Sequence, residues 1–356
     1  MRWLLFVALA GCAAAPVEVL RVEDLGPVEQ SAQIRARDGG YSGVVGGRSV
    51  WVYGDSVLTA PGEDGSTWRH NTWSWTDNFE PGAAPTGFVE DVDPLGAPRM
   101  LFTPTPTEQA FNDAHSGDDC EAPCGARWAL WPGPVVDDPA RERAVVFFVQ
   151  IYGEPGPFNF HGVGAGAAAW ADVTRPVVRT PLRPEAEHPT ALFDEGEPAF
   201  ASAAVVVGED AYVYACGGLD KACKLARVPL ARVLERSAWR YWDGAAWGDD
   251  LAAAATVMHT MDMTSVHYDD DLGFVAVWSE PLSTAVKLRT APAPEGPWSR
   301  AVTLFEAERA PNGDAPYSGL AHAELSGDGV LVVTYYRGLG DWDGELRAVA
   351  VTLAAR

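Results

Sequence analysis

The chain has 356 residues, is 47% hydrophobic and only 21% charged, and so can bury a large core; it does not read as a disordered segment. Its formal net charge is -23, with three lysines (Lys221, Lys224, Lys287) and no dense basic run, which excludes nucleic acid and an anionic membrane surface as partners. With 36 Gly, 27 Pro, 14 Trp, 10 Tyr and 13 Phe, the composition favours short strands and tight turns over long helices.

In chain order, Met1-Arg2 is followed by an uncharged, mostly apolar stretch from Trp3 to Val17, too short for the roughly 20 residues of a transmembrane helix. Leu9-Ala10-Gly11-Cys12 resembles the lipobox of bacterial lipoproteins, in which the cysteine is freed and lipidated. The expected organisation is therefore a signal peptide over 1–11, lipidated Cys12 with a tether over 12–30, and one domain over 31–356. Ala13, which is not Asp, implies outer-membrane sorting, so the expected location is the cell envelope, as an outer-membrane lipoprotein or secreted. The membrane is then a partner through the lipid only.

An apolar strand, a Gly/Asp/Glu-rich turn and a Val- and aromatic-rich second strand recur at 42–56, 133–152, 203–218, 265–280 and 323–338. The second strands begin near residues 50, 144, 211, 273 and 330, one long step and then three similar ones. Further strands follow each hairpin, at Asn71–Trp75, Gly162–Trp170, Lys224–Val228, Ala285–Thr290 and Glu345–Thr352. About four strands per unit is the content of a propeller blade, so the expected fold is all-β, a five-bladed β-propeller. A two-sheet sandwich of the concanavalin type and two tandem β domains leave the five spacings unexplained. The clearest helix candidate is short, Pro229–Ser237. Apart from Cys12 the cysteines fall into two local pairs, expected as the disulfides Cys120–Cys124 and Cys216–Cys223. Zinc is the rival reading, but neither spacing is C-x-x-C and no His clusters nearby. No metal and no cofactor is called for.

The runs RDGGYSG (37–43) and VWVYGDS (50–56) resemble the opening of a family of secreted bacterial five-bladed propellers formerly labelled a domain of unknown function. That family is similar to endo-D-arabinanases among the glycoside hydrolases. WALWP (128–132), HGVGAG (161–166), LARVP (225–229), WRYWDGAAW (239–247), EGPWS (295–299) and AHAEL (321–325) carry the resemblance along the chain. It departs at Ala323, where relatives are expected to carry Pro, and in the insertion around 104–126. The resemblance implies a glycoside hydrolase acting on arabinan-like or other furanose-containing polysaccharide. A non-catalytic carbohydrate- or protein-binding propeller is the alternative, because fold does not dictate activity.

Residues just ahead of the inner strands should converge at one mouth of the wheel. They are Asp38, Arg127 and Trp128, Glu197, Asp262, and Tyr317 with Ser318. Glycoside hydrolysis uses paired carboxyl groups, one to protonate the leaving oxygen and one as base or nucleophile. By the resemblance, Asp38 is expected as general base, Glu197 as general acid, and Asp262 as modulator of the acid or substrate contact. Tyr41, Trp128 and Trp131 could stack on sugar faces, and Arg127, His161 and His322 could bond hydroxyls. Each has a plainer reading. Asp38 caps a turn before Gly39-Gly40, Glu197 lies in a solvated acidic loop, and His322 and Glu324 form a structural pair on one strand face. Asp55, in GDS, reads as closing its hairpin rather than reacting.

Overall fold

The computed structural model describes residues 17–156, 158–218 and 220–355, so the leader and Cys12 lie outside the described residues. Five antiparallel sheets follow one another around a central axis. Strand β1 (Val17–Pro27) comes first among the described residues. Blade I is built from β2 (Ile34–Val45), β3 (Arg48–Leu58), β4 (Trp68–Arg69) and β5 (Thr72–Thr76). Helix α1 (Pro106–Ala114) follows, and blade II holds β6 (Arg127–Asp138), β7 (Arg143–Gly153), β8 (Phe160–Trp170) and β9 (Phe193–Asp194). Blade III takes β10 (Ala203–Val207), β11 (Asp210–Gly217), β12 (Ala222–Pro229), β13 (Arg240–Trp242), β14 (Trp247–Gly248) and β15 (Thr256–His259). Blade IV comprises β16 (Thr264–Asp269), β17 (Gly273–Ser279), β18 (Ala285–Ala291) and β19 (Val302–Glu306). Blade V has β20 (Tyr317–Ala321), β21 (Val330–Gly340) and β22 (Asp343–Ala355), and β1 completes it as the outermost strand.

The expected propeller is the observed fold. Its inner strands β2, β6, β10, β16 and β20 contact one another in that order, and β20 returns to β2. The cores explain why the ring closes. Near-continuous apolar runs, such as Val50–Tyr53 and Ala144–Phe148, give each sheet two buried faces, which pack on the neighbouring blades. Val50, Val52 and Trp73 of blade I meet Val146 and Phe148 of blade II, while Phe147 and Phe193 meet Val213 and Trp239 of blade III. Tyr214 and Leu225 meet Phe274, and Val277 and Leu288 meet Val333 and Val351. Trp51 and Tyr53 pack on Val332 and Leu346, which closes the circle. Truncating a fully buried ring such as Phe147 would cost about 3–5 kcal/mol.

Several expectations are corrected. Residues 17–27 are not tether: β1 pairs antiparallel with β22, from Val17 opposite Ala355 to Pro27 opposite Arg347. The last hairpin begins one strand earlier than 323–338, at β20, and Ala323–Leu325 is a 3-10 turn. The segment 229–237 yields only 3-10 turns at Leu230–Arg232 and Arg236–Ala238. The α-helix lies instead in the 104–126 insertion, where Thr105 and Glu108 form a reciprocal capping box and Pro106 occupies the first turn. Glu108 then pairs with buried Arg179 and accepts from Gln150 at 3.0 Å, which fixes the helix on blade II. Both expected disulfides, Cys120–Cys124 and Cys216–Cys223, are formed. Among the described residues no helix is long and apolar enough to cross a membrane.

Candidate active site

The inner strands all start at one end of the wheel, and a carboxylate pair lies there. Asp38 sits on β2 where Gly39 (φ +85°) and Gly40 (φ +89°) break the ladder with β3 into bulges. Only glycine adopts two such left-handed steps without strain. The bulges turn the Asp38 carboxyl against the β3 backbone: a Cβ on Gly54 would lie 2.5 Å from Asp38 Oδ1. The carboxyl accepts the Tyr317 hydroxyl on Oδ2 at 2.9 Å and the backbone N–H of Asp55.

Asp55 stands beside it. Its Oδ1 accepts the indole N–H of Trp68 at 3.2 Å and of Trp131 at 3.3 Å, with His70 Nδ1 at 3.8 Å. Burial raises the Asp38 carboxyl most and the Asp55 charge raises it further, to about 7, although its hydrogen bonds pull the other way. Asp38 is therefore near half protonation at neutral pH, next to a carboxylate held by N–H donors. Two carboxyl groups differentiated in this way can give and receive a proton on one bound molecule.

Other expected residues reach the same mouth. The guanidinium of Arg127 lies 5.8 Å over the Trp68 ring, and Trp131 packs edge-on against Phe160 at 4.9 Å. Asp262 is exposed, accepts the Met263 N–H at 3.1 Å, and raises the Tyr41 hydroxyl through its charge, second to burial. Met263 meets Ser318 Oγ at 3.1 Å, so the segment carrying Asp262 adjoins Tyr317 and Gly39. His161 lies at the rim, more than half exposed, 3.7 Å from Glu195.

Four expected residues are placed otherwise. Glu197 makes a two-pronged ion pair with Arg236, 2.9 Å and 2.8 Å, beside the outer strand β9. The Arg236 hydrogen bonds hold it below the ordinary carboxylate range, the opposite of what a general acid needs. Trp128 is covered by the insertion: it stacks on Phe111 of α1 at 4.6 Å, and Asn112 takes its backbone N–H and C=O. Tyr41 is buried and spends its hydroxyl on the Ser202 carbonyl at 2.7 Å, tying blade I to blade III. His322 is buried deep along the axis between Ser42 and Thr334, each at 2.7 Å, and stacked on Trp51 at 4.2 Å. Burial pushes its imidazole down to about 3, so it stays neutral and structural. Glu324 does not share a strand face with it; it is half-buried in the following turn, accepts from Ser49 at 2.8 Å, and is raised by desolvation. Among the described residues no three His, Cys, Asp or Glu side chains gather as a metal-binding set.

Sequence reasoning read Asp55 as closing its hairpin, whereas its carboxylate accepts the Trp68 and Trp131 indole N–H groups, and it passed over His70 and Trp68. For Asp55 the signal was present, because counting outward from the Gly46-Gly47 turn sets residue 55 opposite residue 38. For Trp68 and His70 there was none, since both follow an irregular loop.

Residues 165–336 match the family described as Domain of unknown function (DUF4185). No curated protein matches the chain. Among solved structures, a "putative hydrolase" from Bacteroides ovatus ATCC 8483 is similar with a TM-score of 0.61 at 15% identity, over 90% of this chain and 87% of that one. The GH43_1 enzyme from Xanthomonas citri, complexed with xylotriose, is similar with a TM-score of 0.53 at 12% identity, over 92% of this chain and 90% of the other. At these identities the likeness establishes the propeller fold and nothing finer.

Proposed function

We propose that this propeller is a glycoside hydrolase whose reacting pair is Asp38 and Asp55. The observation that carries the reading is one carboxyl raised to about 7 beside a second carboxylate that accepts two indole N–H groups at the mouth. Asp38 protonates the glycosidic oxygen as the bond to the anomeric carbon lengthens, and Asp55 meets the developing positive charge or activates water. The base expected at Asp38 thus becomes the acid, and Glu197 has no part in proton transfer. Tyr317 orients the Asp38 carboxyl, and Arg127 stands ready to bond a sugar hydroxyl.

The substrate we infer is a neutral, furanose-containing polysaccharide of the arabinan kind. The family resemblance supports the sugar class, and the net charge of -23 disfavours polyanionic glycans. We infer also that Cys12 is lipidated and the domain is carried at the cell envelope, on the strength of the Leu9-Ala10-Gly11-Cys12 motif. Incubation with D-arabinan, L-arabinan and arabinogalactan, with analysis of released sugars, tests the chemistry. Asp38→Asn and Asp55→Asn should each abolish release while leaving the circular dichroism unchanged. Undiminished release from either variant would refute the pair, and binding without release by the parent protein would leave a carbohydrate-binding propeller. Mass spectrometry of the membrane fraction tests the lipid, which should be lost in Cys12→Ala.

A further inference from the structure

We propose that Trp342, at the tip of the β21–β22 hairpin, is a preformed platform on which an uncharged sugar ring of the bound glycan stacks. The inference rests on the carbohydrate reading above but not on the hydrolytic step. Trp342 is 70% exposed, and both residues of its two-residue turn are left-handed, Asp341 at φ 48° and Trp342 at φ 66°. Such turns favour Asn-Gly, and a bulky side chain there is strained. A strained aromatic this open to water gains little on folding beyond its ring contact with Trp68, which points to a surface task.

The tip is also held in place. Arg35 on β2, three residues before Asp38, donates to the Asp341 carbonyl at 2.6 Å and to Asp343 Oδ1 at 2.7 Å, gripping the chain on either side of Trp342. The indole meets Trp68 edge-on at 5.6 Å, and the Trp68 N–H binds Asp55. A continuous aromatic path therefore leads from the carboxylate pair to an exposed ring face. Phe158 and Leu282 are more exposed still and also left-handed, at φ 55° and φ 54°, but among the described residues no ring contact or hydrogen bond links them to Asp38 or Asp55. An indole face offers sugar C–H groups a flat apolar surface, and Arg35 fixes its position before the ligand arrives.

The test uses the Asp38→Asn protein, so that hydrolysis does not consume the ligand, in native affinity gels containing D-arabinan, L-arabinan or arabinogalactan. Retardation by at least one polymer is expected. Adding Trp342→Ala should weaken that affinity about tenfold, the scale of one lost aromatic contact. Trp342→Gly should weaken it equally while raising the melting temperature, because glycine relieves the turn. Phe158→Ala should leave the affinity unchanged. Retardation by none of the polymers, or equal retardation of the Trp342 variants and their parent, would overturn the proposal. So would a Trp342-dependent dimer on gel filtration, which would make the tip a contact between copies. Trp342-dependent binding by a protein that never releases sugar would sink the hydrolase reading and keep the platform.

Discussion

Replacing Asp38 with Asn should shift relative stability toward the variant as the pH rises. Burial and the Asp55 charge lift the Asp38 carboxyl from 3.8 to about 7. Between those values the native state binds a proton that the unfolded chain has released, so stability falls with rising pH through this window and the full penalty holds above it. At 1.36 kcal/mol per pH unit the ceiling is about 4 kcal/mol. Asp38 keeps a face toward solvent, which reduces the working figure to roughly 2 kcal/mol. Asn carries no charge and escapes the penalty, although it places an amide where Tyr317 and the Asp55 N–H donate. That mismatch is independent of pH and subtracts out when two conditions are compared. Urea unfolding of parent and Asp38→Asn at pH 4 and pH 8 should therefore show the difference in unfolding free energy shifting toward the variant by about 2 kcal/mol. Equal differences at the two pH values would mean that Asp38 titrates like an ordinary carboxylate, and the proton-donor assignment would fall with it.

Gly54→Ala should push the Asp38 carboxyl off Tyr317 and the Asp55 N–H, since the new methyl would lie 2.5 Å from Oδ1. The expected result is a stability loss of about 1 kcal/mol with a much larger loss of activity, read by denaturation and sugar release; full activity would contradict the described packing. Glu197→Gln should retain sugar release and lose less than about 1 kcal/mol at pH 7, because the Arg236 pair is part-exposed. With the native Glu197 pKa depressed, that loss should vanish as the pH falls through it. A folded but inactive Glu197→Gln would return the acid role to this residue.

The five blades were legible because each repeats one local instruction, two apolar runs around a Gly/Asp/Glu-rich turn. The fifth hairpin was misplaced because Ser318 is left-handed (φ 55°) and the β20–β21 register slips between Tyr317 and Leu320, which interrupts the apolar run. Strand β1 was read as tether because its partner is about 320 residues away, beyond the reach of any local pattern. Asp38 was found from its place at the start of the first inner strand, whereas its protonation depends on burial and on Asp55, which only the folded hairpin reveals. Glu197 and Trp128 were misjudged for a common reason. What decides their roles is a distant neighbour, Arg236 in one case and α1 in the other, and neither leaves a mark on the adjoining sequence.

The seam made by β1 and β22 also fixes which way the wheel would look out from a surface. Val17 lies opposite Ala355 at the rear of blade V, and Pro27 opposite Arg347 toward the front, some 35 Å farther along an 11-residue strand. An acyl chain on Cys12, only five residues upstream of Val17, would moor the domain by its back edge and leave the acidic opening facing outward. Held in that posture, the protein would meet polymers arriving from its surroundings rather than glycans rooted in the lipid beneath it.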